Sequence, residues 1–209
     1  DQKELNEKMD IYEYVVFTLV FFLFSMGILL ITPFVTLYTA KLSDAPAYHQ
    51  PLFGVLLLIS ELLYLVKLPH LNLAYSANKF KEITVPAFVE AFLNIGVSVV
   101  LVLKYGLIGV AIGTIVGMTY RMVFHVYYTT KLIPGRVQWI FYRKLLLFTV
   151  VFALAMTLCA LLLPFSSVTI FSWLWHAVLY GCILGVALLG LSVVSFRKEM
   201  KFFVRYLKR

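Results

Sequence analysis

The chain has 209 residues, of which 62% are hydrophobic and 13% charged, and its mean hydropathy of +0.94 lies far above that of soluble domains. This composition excludes a water-soluble globular domain, because apolar runs such as VVFTLVFFLFSMGILLI leave no polar surface. The formal charge of +8 comes without an aromatic and basic platform for nucleic acid, so we expect no nucleic-acid partner.

Six apolar stretches are long enough to cross the roughly 30 Å of hydrocarbon in a bilayer as helices. They cover approximately residues 11–38, 51–76, 84–103, 106–130, 144–164 and 171–196. Short connections between them predict an all-α fold, a polytopic membrane bundle of six transmembrane helices. We therefore divide the chain into a polar lead-in (1–10), a transmembrane lobe (11–196) and a basic tail (197–209).

Lysine and arginine are unevenly distributed among the connections. With the N-terminus in the cytoplasm, 14 of the 18 basic residues fall in cytoplasmic segments. Only Lys41 and Lys104 fall outside, and Lys67 and Arg121 lie within spans. Positively charged connections stay on the cytoplasmic side, so this asymmetry predicts that both termini are cytoplasmic.

The second span carries polar residues inside the stretch ELLYLVKLPHLNLAYSANKFKE. Lys67 and His70 are three residues apart and share a helix face, whereas Glu61 lies on another. Pro69 removes a backbone hydrogen bond to the carbonyl of Leu65 and predicts a kink. Lys67 either faces a wet cavity or extends to the inner headgroups, and the sequence leaves both interpretations open.

The third span repeats Glu90, Asn94 and Ser98 at four-residue steps. Asn94 and Ser98 are suited to hydrogen bonds with a neighbouring helix. The carboxylate of Glu90 needs either a cation, for which Lys67 and Arg121 lie at suitable depth, or a bound proton, as in a coupled transporter.

The fourth span contains Gly109, Gly113 and Gly117 in consecutive GxxxG steps. This spacing favours close helix packing, with a gating hinge as the alternative. The row turns by roughly 40° per step, so we expect Arg121 and His125 to turn off the packed face toward a lumen. The alternative is an arginine drawn to the inner interface.

The depths of the polar residues within their spans agree between helices. At 1.5 Å per residue, Lys67 and Arg121 lie roughly 14 Å from the cytoplasmic ends of their spans, and His70, Glu90 and His125 roughly 8 to 9 Å. Ionisable groups at such depth pair with one another or face water. We therefore predict that Lys67, Glu90 and Arg121 converge on one cavity open to the cytoplasm.

The C-terminal segment RKEMKFFVRYLKR has an apolar and a basic side at helical spacing. Its two faces are Met200, Phe203, Val204 and Leu207 on one side, and Lys198, Lys201, Arg205 and Lys208 on the other. The pattern indicates either an amphipathic helix on the inner leaflet or an ordinary stop-transfer charge cluster.

Several of these segments together resemble a known family. ITPFVTLYT, the stretch from SDAPAYHQ to NKFKE, and FVEAFLNIGVSVVLVLKYGLIGVAIGTIVGMTYR are similar to the second half of bacterial polysaccharide flippases. These are the Wzx-type O-antigen translocases of the multidrug/oligosaccharidyl-lipid/polysaccharide (MOP) superfamily. The resemblance covers residues 1–135 best, and KYGLIGVAIGT is its most specific element. Members usually have two six-helix lobes, so it implies an N-terminal six-helix lobe in the same or another chain.

The resemblance also implies a function. Such proteins flip an undecaprenyl-pyrophosphate-linked oligosaccharide across the bacterial inner membrane by alternating access, during O-antigen and lipopolysaccharide biosynthesis. By this resemblance Lys67 and Arg121 would contact the pyrophosphate, with His70 and His125 as auxiliary donors and Asn94 near sugar hydroxyls.

Glu61 or Glu90 would then carry a coupling ion, H⁺ or Na⁺. Two other classes stay open: a cation or drug antiporter of the same superfamily, which would bind its substrate through carboxylates, and a non-transporting membrane scaffold. The chain has no HExxH, CxxC or P-loop motif, so we expect no catalysis, no metal site and no cofactor. The expected partners are the lipid-linked substrate, membrane lipids and the second lobe.

Overall fold

The computed structural model describes residues 2–43 and 49–207, and within these ranges the chain is helical without β-strands. Asp1, residues 44–48 of the SDAPAYHQ connection, Lys208 and Arg209 lie outside the described residues. The helices are α1 (Gln2–Thr39), α2 (Pro51–Val66), α3 (Leu68–Ser76), α4 (Phe80–Tyr105), α5 (Leu107–Leu132), α6 (Trp139–Leu162), α7 (Ile170–Ser195) and α8 (Arg197–Leu207). Counting α2 and α3 as one span, six are long and apolar enough to cross a membrane, which confirms the predicted fold class.

Three helices begin four or more residues before the apolar runs that predicted them, and one of them is α4, which begins at Phe80 rather than at residue 84. α1 begins at Gln2, so the polar lead-in is helical and continuous with the first span. Its residues are mostly strong helix formers, and Glu4 and Lys8 form an i,i+4 pair at 2.8 Å. α6 begins at Trp139 rather than at Lys144, because Phe141 in its first turn is already buried in the core.

The predicted kink in the second span is present as an interruption at Lys67, between α2 and α3. Pro69 occupies the second position of α3. Backbone N–H groups in the first turn of a helix have no partner within the helix, so the missing N–H of proline costs no hydrogen bond there. Lys67 keeps helical φ and ψ values of −80° and −15°, so the interruption is local. Beyond it, the Asn72 side chain donates to the Tyr12 hydroxyl at 2.6 Å and joins α3 to α1.

The helices pack around α1 and α5. α1 contacts α2, α6, α7 and α8, and α5 contacts α2, α3 and α4, whereas α4 packs mainly on α5. α8 lies against the N-terminal part of α1, so the two ends of the described chain lie at the same end of the bundle. We call this the basic end, since Lys8, Arg136 and Lys198 lie there. Which side of the membrane it faces stays a prediction.

Aromatic rings fill the core between α1, α6 and the start of α8. Phe17 packs on Phe141 and Phe148 with ring centroids 5.4 and 5.5 Å apart, and Phe148 also packs on Phe196 at 5.4 Å. All four side chains are buried. These edge-on and tilted contacts fix the rotation of α1 relative to α6, because such geometries are favoured over other ring arrangements.

The glycine row of α5 packs directly on the backbone of α4. A Cβ atom on Gly109 would lie 2.5 Å from the Leu101 carbonyl, and one on Gly113 would lie 2.8 Å from the amide nitrogen of Ser98. One on Gly117 would lie 3.1 Å from the Glu90 carbonyl. The packing interpretation of these glycines is therefore confirmed, because no side chain fits between the two helices.

Replacement of Gly113 by alanine should force α4 and α5 apart and lower the stability of the protein by about 1–3 kcal/mol, the usual range for overpacking. Gly96 on α4 is the matched control, because a Cβ there meets nothing within 4 Å. Thermal unfolding in detergent should show a lower midpoint for Gly113→Ala and an unchanged or higher one for Gly96→Ala. Equal midpoints for the two variants would contradict close packing.

The orientation is testable with single cysteines in a chain whose Cys159 and Cys182 have been replaced. Because 14 of the 18 basic residues favour the cytoplasm, a cysteine at Ser43 should react with a membrane-impermeant maleimide in intact cells. A cysteine at Lys79 should react only after permeabilisation. The reverse pattern of labelling would overturn the predicted orientation.

Candidate functional site

A buried carboxylate lies near the basic end of α1. Glu13 is completely enclosed, and its two oxygens accept from two different cations. Arg136, in the connection between α5 and α6, donates to Oε1 through Nη2, and Lys144 of α6 donates to Oε2 at 2.8 Å. Arg136 and Lys144 are themselves buried, so the carboxylate of Glu13 and these two cations neutralise one another inside the protein rather than in water.

Further polar groups extend this arrangement. Asp10, one helical turn before Glu13, accepts from Arg136 at 3.1 Å and from Lys144 at 2.9 Å. Nε2 of His70 lies 3.3 Å from Glu13 Oε1 without hydrogen-bond geometry. We name Asp10, Glu13, His70, Arg136 and Lys144 the basic-end network. It connects α1, α3, α6 and the residues before α6.

His70 is held on its other side as well. Its Nδ1 lies 2.9 Å from the Thr129 hydroxyl of α5, and that hydroxyl donates to the His125 carbonyl at 3.0 Å. Nδ1 therefore donates to Thr129. With its ring also packed edge-on against Phe141 at 4.9 Å, His70 is enclosed. The structure thus places His70 in the basic-end network, apart from the other residues expected to bind substrate.

A second group of charges lies deeper in the bundle. Arg121 of α5 donates through Nη1 to Glu90 Oε2 of α4 at 2.5 Å, so the predicted pairing of Glu90 with a cation is present. Ideal helix rotation predicts that Arg121 turns off the glycine face toward a lumen. Instead, Arg121 continues that face, because Glu90 lies beside Gly117 and attracts the guanidinium back to α4.

Lys67 lies in the same region without a carboxylate partner. Its ammonium is enclosed, 3.7 Å from the Met118 sulfur and 4.2 Å from the centre of the Tyr64 ring. No carboxylate oxygen of the described residues lies within 4.0 Å of it.

The position of Met118 shows which way Lys67 points. Met118 lies fourteen residues before the end of α5 at Leu132, or about 21 Å from the basic end, whereas Lys67 is about 14 Å from the end of its own span. The ammonium is therefore directed deeper into the bundle. The alternative interpretation, in which Lys67 extends to the inner headgroups, does not describe this side chain.

His125 completes the second group. It is buried one turn beyond Arg121, and both of its ring nitrogens lack a hydrogen-bond partner among the described residues, as does Nε of Arg121. We name Lys67, Glu90, Arg121 and His125 the intramembrane cluster. With Lys67 and Arg121 charged, it holds one positive charge more than its single carboxylate neutralises.

Arg121 lines a cavity of ≈ 360 Å³ near the basic end, together with Tyr75 of α3 and residues of α4 from Phe80 to Ala91. Lys67 and Glu90 do not line it. The three charged residues therefore lie close together as predicted, but they do not line one shared cavity, because Arg121 alone among them lines this one. Lys67 is separated from the cavity because it is enclosed at the interruption between α2 and α3.

The remaining predicted residues lie on two different surfaces. Asn94 accepts from Ser98 at 3.1 Å and from Thr114 of α5 at 3.4 Å, so it joins α4 to α5 as a packing residue. Glu61 is exposed on the outside of α2, ten residues or about 15 Å from Pro51. Its exposure and the burial of Lys67 confirm that these two residues occupy different faces.

Sequence reasoning did not find Glu13, Asp10, Arg136 and Lys144 as a group. Arg136 and Lys144 were counted as topology signals, and Asp10 and Glu13 were assigned to the lead-in and the edge of the first span. The available signal was an acidic pair three residues apart at the start of an apolar run. Its partners lie more than 120 residues away along the chain, which a single sequence does not reveal.

Comparison of the chain with protein-family models, with curated proteins and with solved structures returns no significant match. The flippase resemblance therefore stays a prediction, and the geometry of the two charge clusters is what bears on function.

Replacing Glu13 by glutamine should destabilise the protein by about 3–5 kcal/mol, because it leaves the buried Arg136 and Lys144 with one carboxylate, Asp10, between them. Glu7 on the same helix is exposed, so Glu7→Gln should change stability by less than about 0.5 kcal/mol. Unfolding by titration with a denaturing detergent measures both values. Similar midpoints for the two variants would show that Glu13 does not hold the bundle together.

Proposed function

We propose that this chain is one lobe of a transporter, rather than an enzyme, and that it flips an anionic lipid-linked oligosaccharide across the bacterial inner membrane. The substrate class proposed is a polyprenyl-pyrophosphate oligosaccharide of polysaccharide biosynthesis. The multi-pass helical architecture supports a membrane transporter in general. The choice of an anionic substrate depends on the intramembrane cluster.

The observation that carries the proposal is the buried ammonium of Lys67, which contacts the Met118 sulfur and the Tyr64 ring and forms no salt bridge among the described residues. An unpaired cation removed from water is costly, so such a site attracts an anion. Arg121 adds a second cation, and its Nε and both ring nitrogens of His125 have no hydrogen-bond partner in the part of the chain that the structure describes. A pyrophosphate in the cavity would meet Arg121 first, and it would reach Lys67 and His125 when the enclosing helices move, as alternating access requires. Charge-assisted hydrogen bonds to phosphate are strong.

The exposed position of Glu61 supports the presence of a second lobe. Carboxylates near the middle of a membrane span face a bundle interior or water rather than lipid. The outer face of α2 is therefore expected to lie against a second bundle or a water-filled lumen. A two-lobed transporter with its pathway between the lobes provides both, and Glu61 would then be available to a coupling ion.

A cation antiporter is less well supported by the same geometry. Its substrate would need a free carboxylate, and Glu90 is already paired with Arg121 at 2.5 Å. Glu61 remains exposed, but the nearby intramembrane cluster carries excess positive charge. A cationic substrate would therefore be repelled where an anionic one is attracted.

Arg121→Ala in the full transporter should lower surface polysaccharide about 10- to 100-fold, because a hydrogen bond to a charged group contributes about 1.5–3 kcal/mol. Arg121→Lys should restore display only in part, since the planar fork of donors is lost. The measurement is surface polysaccharide in cells that make the chain, normalised to the amount of protein in the membrane. Arg143→Ala, an exposed arginine at the start of α6, is the matched control and should display normally.

A double variant separates substrate binding from structural pairing. Glu90→Gln with Arg121→Gln removes both charges of the pair and leaves no carboxylate unpaired. If Arg121 binds the substrate, polysaccharide display stays low in this variant although the protein is stable. Normal display in the double variant would show that Arg121 serves only to neutralise Glu90, and would overturn this assignment.

A further inference from the structure

A groove runs along α1 at the basic end, beneath α8. Its mouth, of ≈ 490 Å³, lies between Lys8 of α1 and Phe203 of α8. A second cavity of ≈ 270 Å³ continues along Val15 and Leu19 of α1 to Leu188 of α7. Val15 and Phe203 line both cavities, so the two lie next to each other along α1, and we name them together the interfacial groove.

The length of the interfacial groove matches one leaflet of a bilayer. From Lys8 to Leu19 it follows eleven residues of helix, about 16 Å at 1.5 Å per residue. The hydrocarbon of one leaflet is about 15 Å thick, half of the whole core. An acyl chain that begins near Lys8 would therefore reach the middle of the membrane within the groove.

The deep walls of the groove are suited to hydrocarbon. Leu19 and Leu188 are apolar, and the hydroxyls of Tyr14 and Ser192 are hydrogen bonded to each other at 2.8 Å. Thr18 is the remaining polar side chain of this part. The groove therefore offers mostly van der Waals contact and few groups that require water.

The helix above the groove is strongly basic. Met200 and Phe203 of this helix line the groove. Its exposed basic residues are Arg197, whose Nε donates to the Val193 carbonyl, and Lys198, Lys201 and Arg205. The one acidic residue in this helix is Glu199. Lys8 at the mouth is already paired with Glu4 at 2.8 Å, so α8 supplies the excess positive charge. Basic clusters at the end of a membrane span attract anionic headgroups.

We propose that the interfacial groove binds an anionic phospholipid of the surrounding bilayer, with one acyl chain along α1 and the phosphate against the basic residues of α8. An apolar groove of leaflet length accepts a chain from any phospholipid. The basic helix above it selects the anionic ones. The bound lipid holds α8 against α1, and this role is independent of the proposed transport.

The test measures lipid binding to the purified full chain in a neutral detergent by native mass spectrometry. Dioleoyl phosphatidylglycerol and dioleoyl phosphatidylcholine are the two probes, and the first should bind more tightly. Lys201→Gln with Arg205→Gln should weaken phosphatidylglycerol binding about 25-fold, from about fivefold for each basic residue near a membrane surface. Lys104→Gln is the control, because Lys104 lies in the last turn of α4, at the end of the bundle away from α8. This variant should leave phosphatidylglycerol binding unchanged.

A second set of variants tests the groove itself. Val15→Trp should fill the groove and weaken phosphatidylglycerol binding. Leu19→Trp does the same at the deep end, where the 57% exposure of Leu19 leaves room for the larger ring without overpacking. Val99→Trp, on the exposed face of α4, is the control and should have no effect.

Two results would overturn the proposal. Equal affinities for phosphatidylglycerol and phosphatidylcholine in the unmodified protein would show that the site does not select charge. Unchanged binding in both Val15→Trp and Leu19→Trp, with loss only in the charge variant, would place the lipid on the surface of α8 and not in the groove. Polysaccharide display is not measured here, so failure of the proposed function leaves this result intact.

Discussion

A carboxylate that is wholly enclosed near the end of a membrane-spanning helix must be neutralised by its neighbours. Glu13 meets this requirement with Arg136 and Lys144, which come from a distant part of the chain. The pairing fixes where α6 and the residues before it lie relative to α1, and His70 brings α3 to the same point. Because removing one member of such a group leaves a buried charge, the basic-end network disfavours other arrangements of these helices more than it adds net stability.

α5 connects this network to the rest of the bundle. Near the basic end its Thr129 accepts from His70, deeper in the membrane Arg121 pairs with Glu90, and farther on Gly113 lies against the backbone of α4. Three kinds of contact, a hydrogen bond, an ion pair and direct backbone packing, therefore depend on the rotation of one helix. A change that turns α5 would alter the intramembrane cluster and the basic-end network together.

The sequence predicted contacts between neighbouring spans better than contacts between distant ones. The glycine spacing indicated the close packing of α5, and the matching depths of Glu90 and Arg121 indicated their pairing, because both depend on helix geometry alone. The side to which Arg121 turns was predicted wrongly, since a carboxylate on α4 decides it rather than the ideal helix rotation. The role of His70 was missed, because the enclosing residues Glu13 and Thr129 belong to separate spans whose contact no local pattern encodes.

The connection between α4 and α5 has a consequence for how the protein enters the membrane. Gly106 alone joins the two helices, with a φ of +55° and ψ of −134° that other residues rarely adopt, so α4 and α5 form an antiparallel hairpin. Glu90 and Arg121 would each oppose insertion by about 3 kcal/mol as separate charges near the centre of a helix. Within the hairpin the two side chains pair at 2.5 Å, so we expect α4 and α5 to enter the membrane together with these two charges neutralising each other. A one-residue turn at Gly106 would thereby lower the free-energy cost of inserting Glu90 and Arg121 into the bilayer.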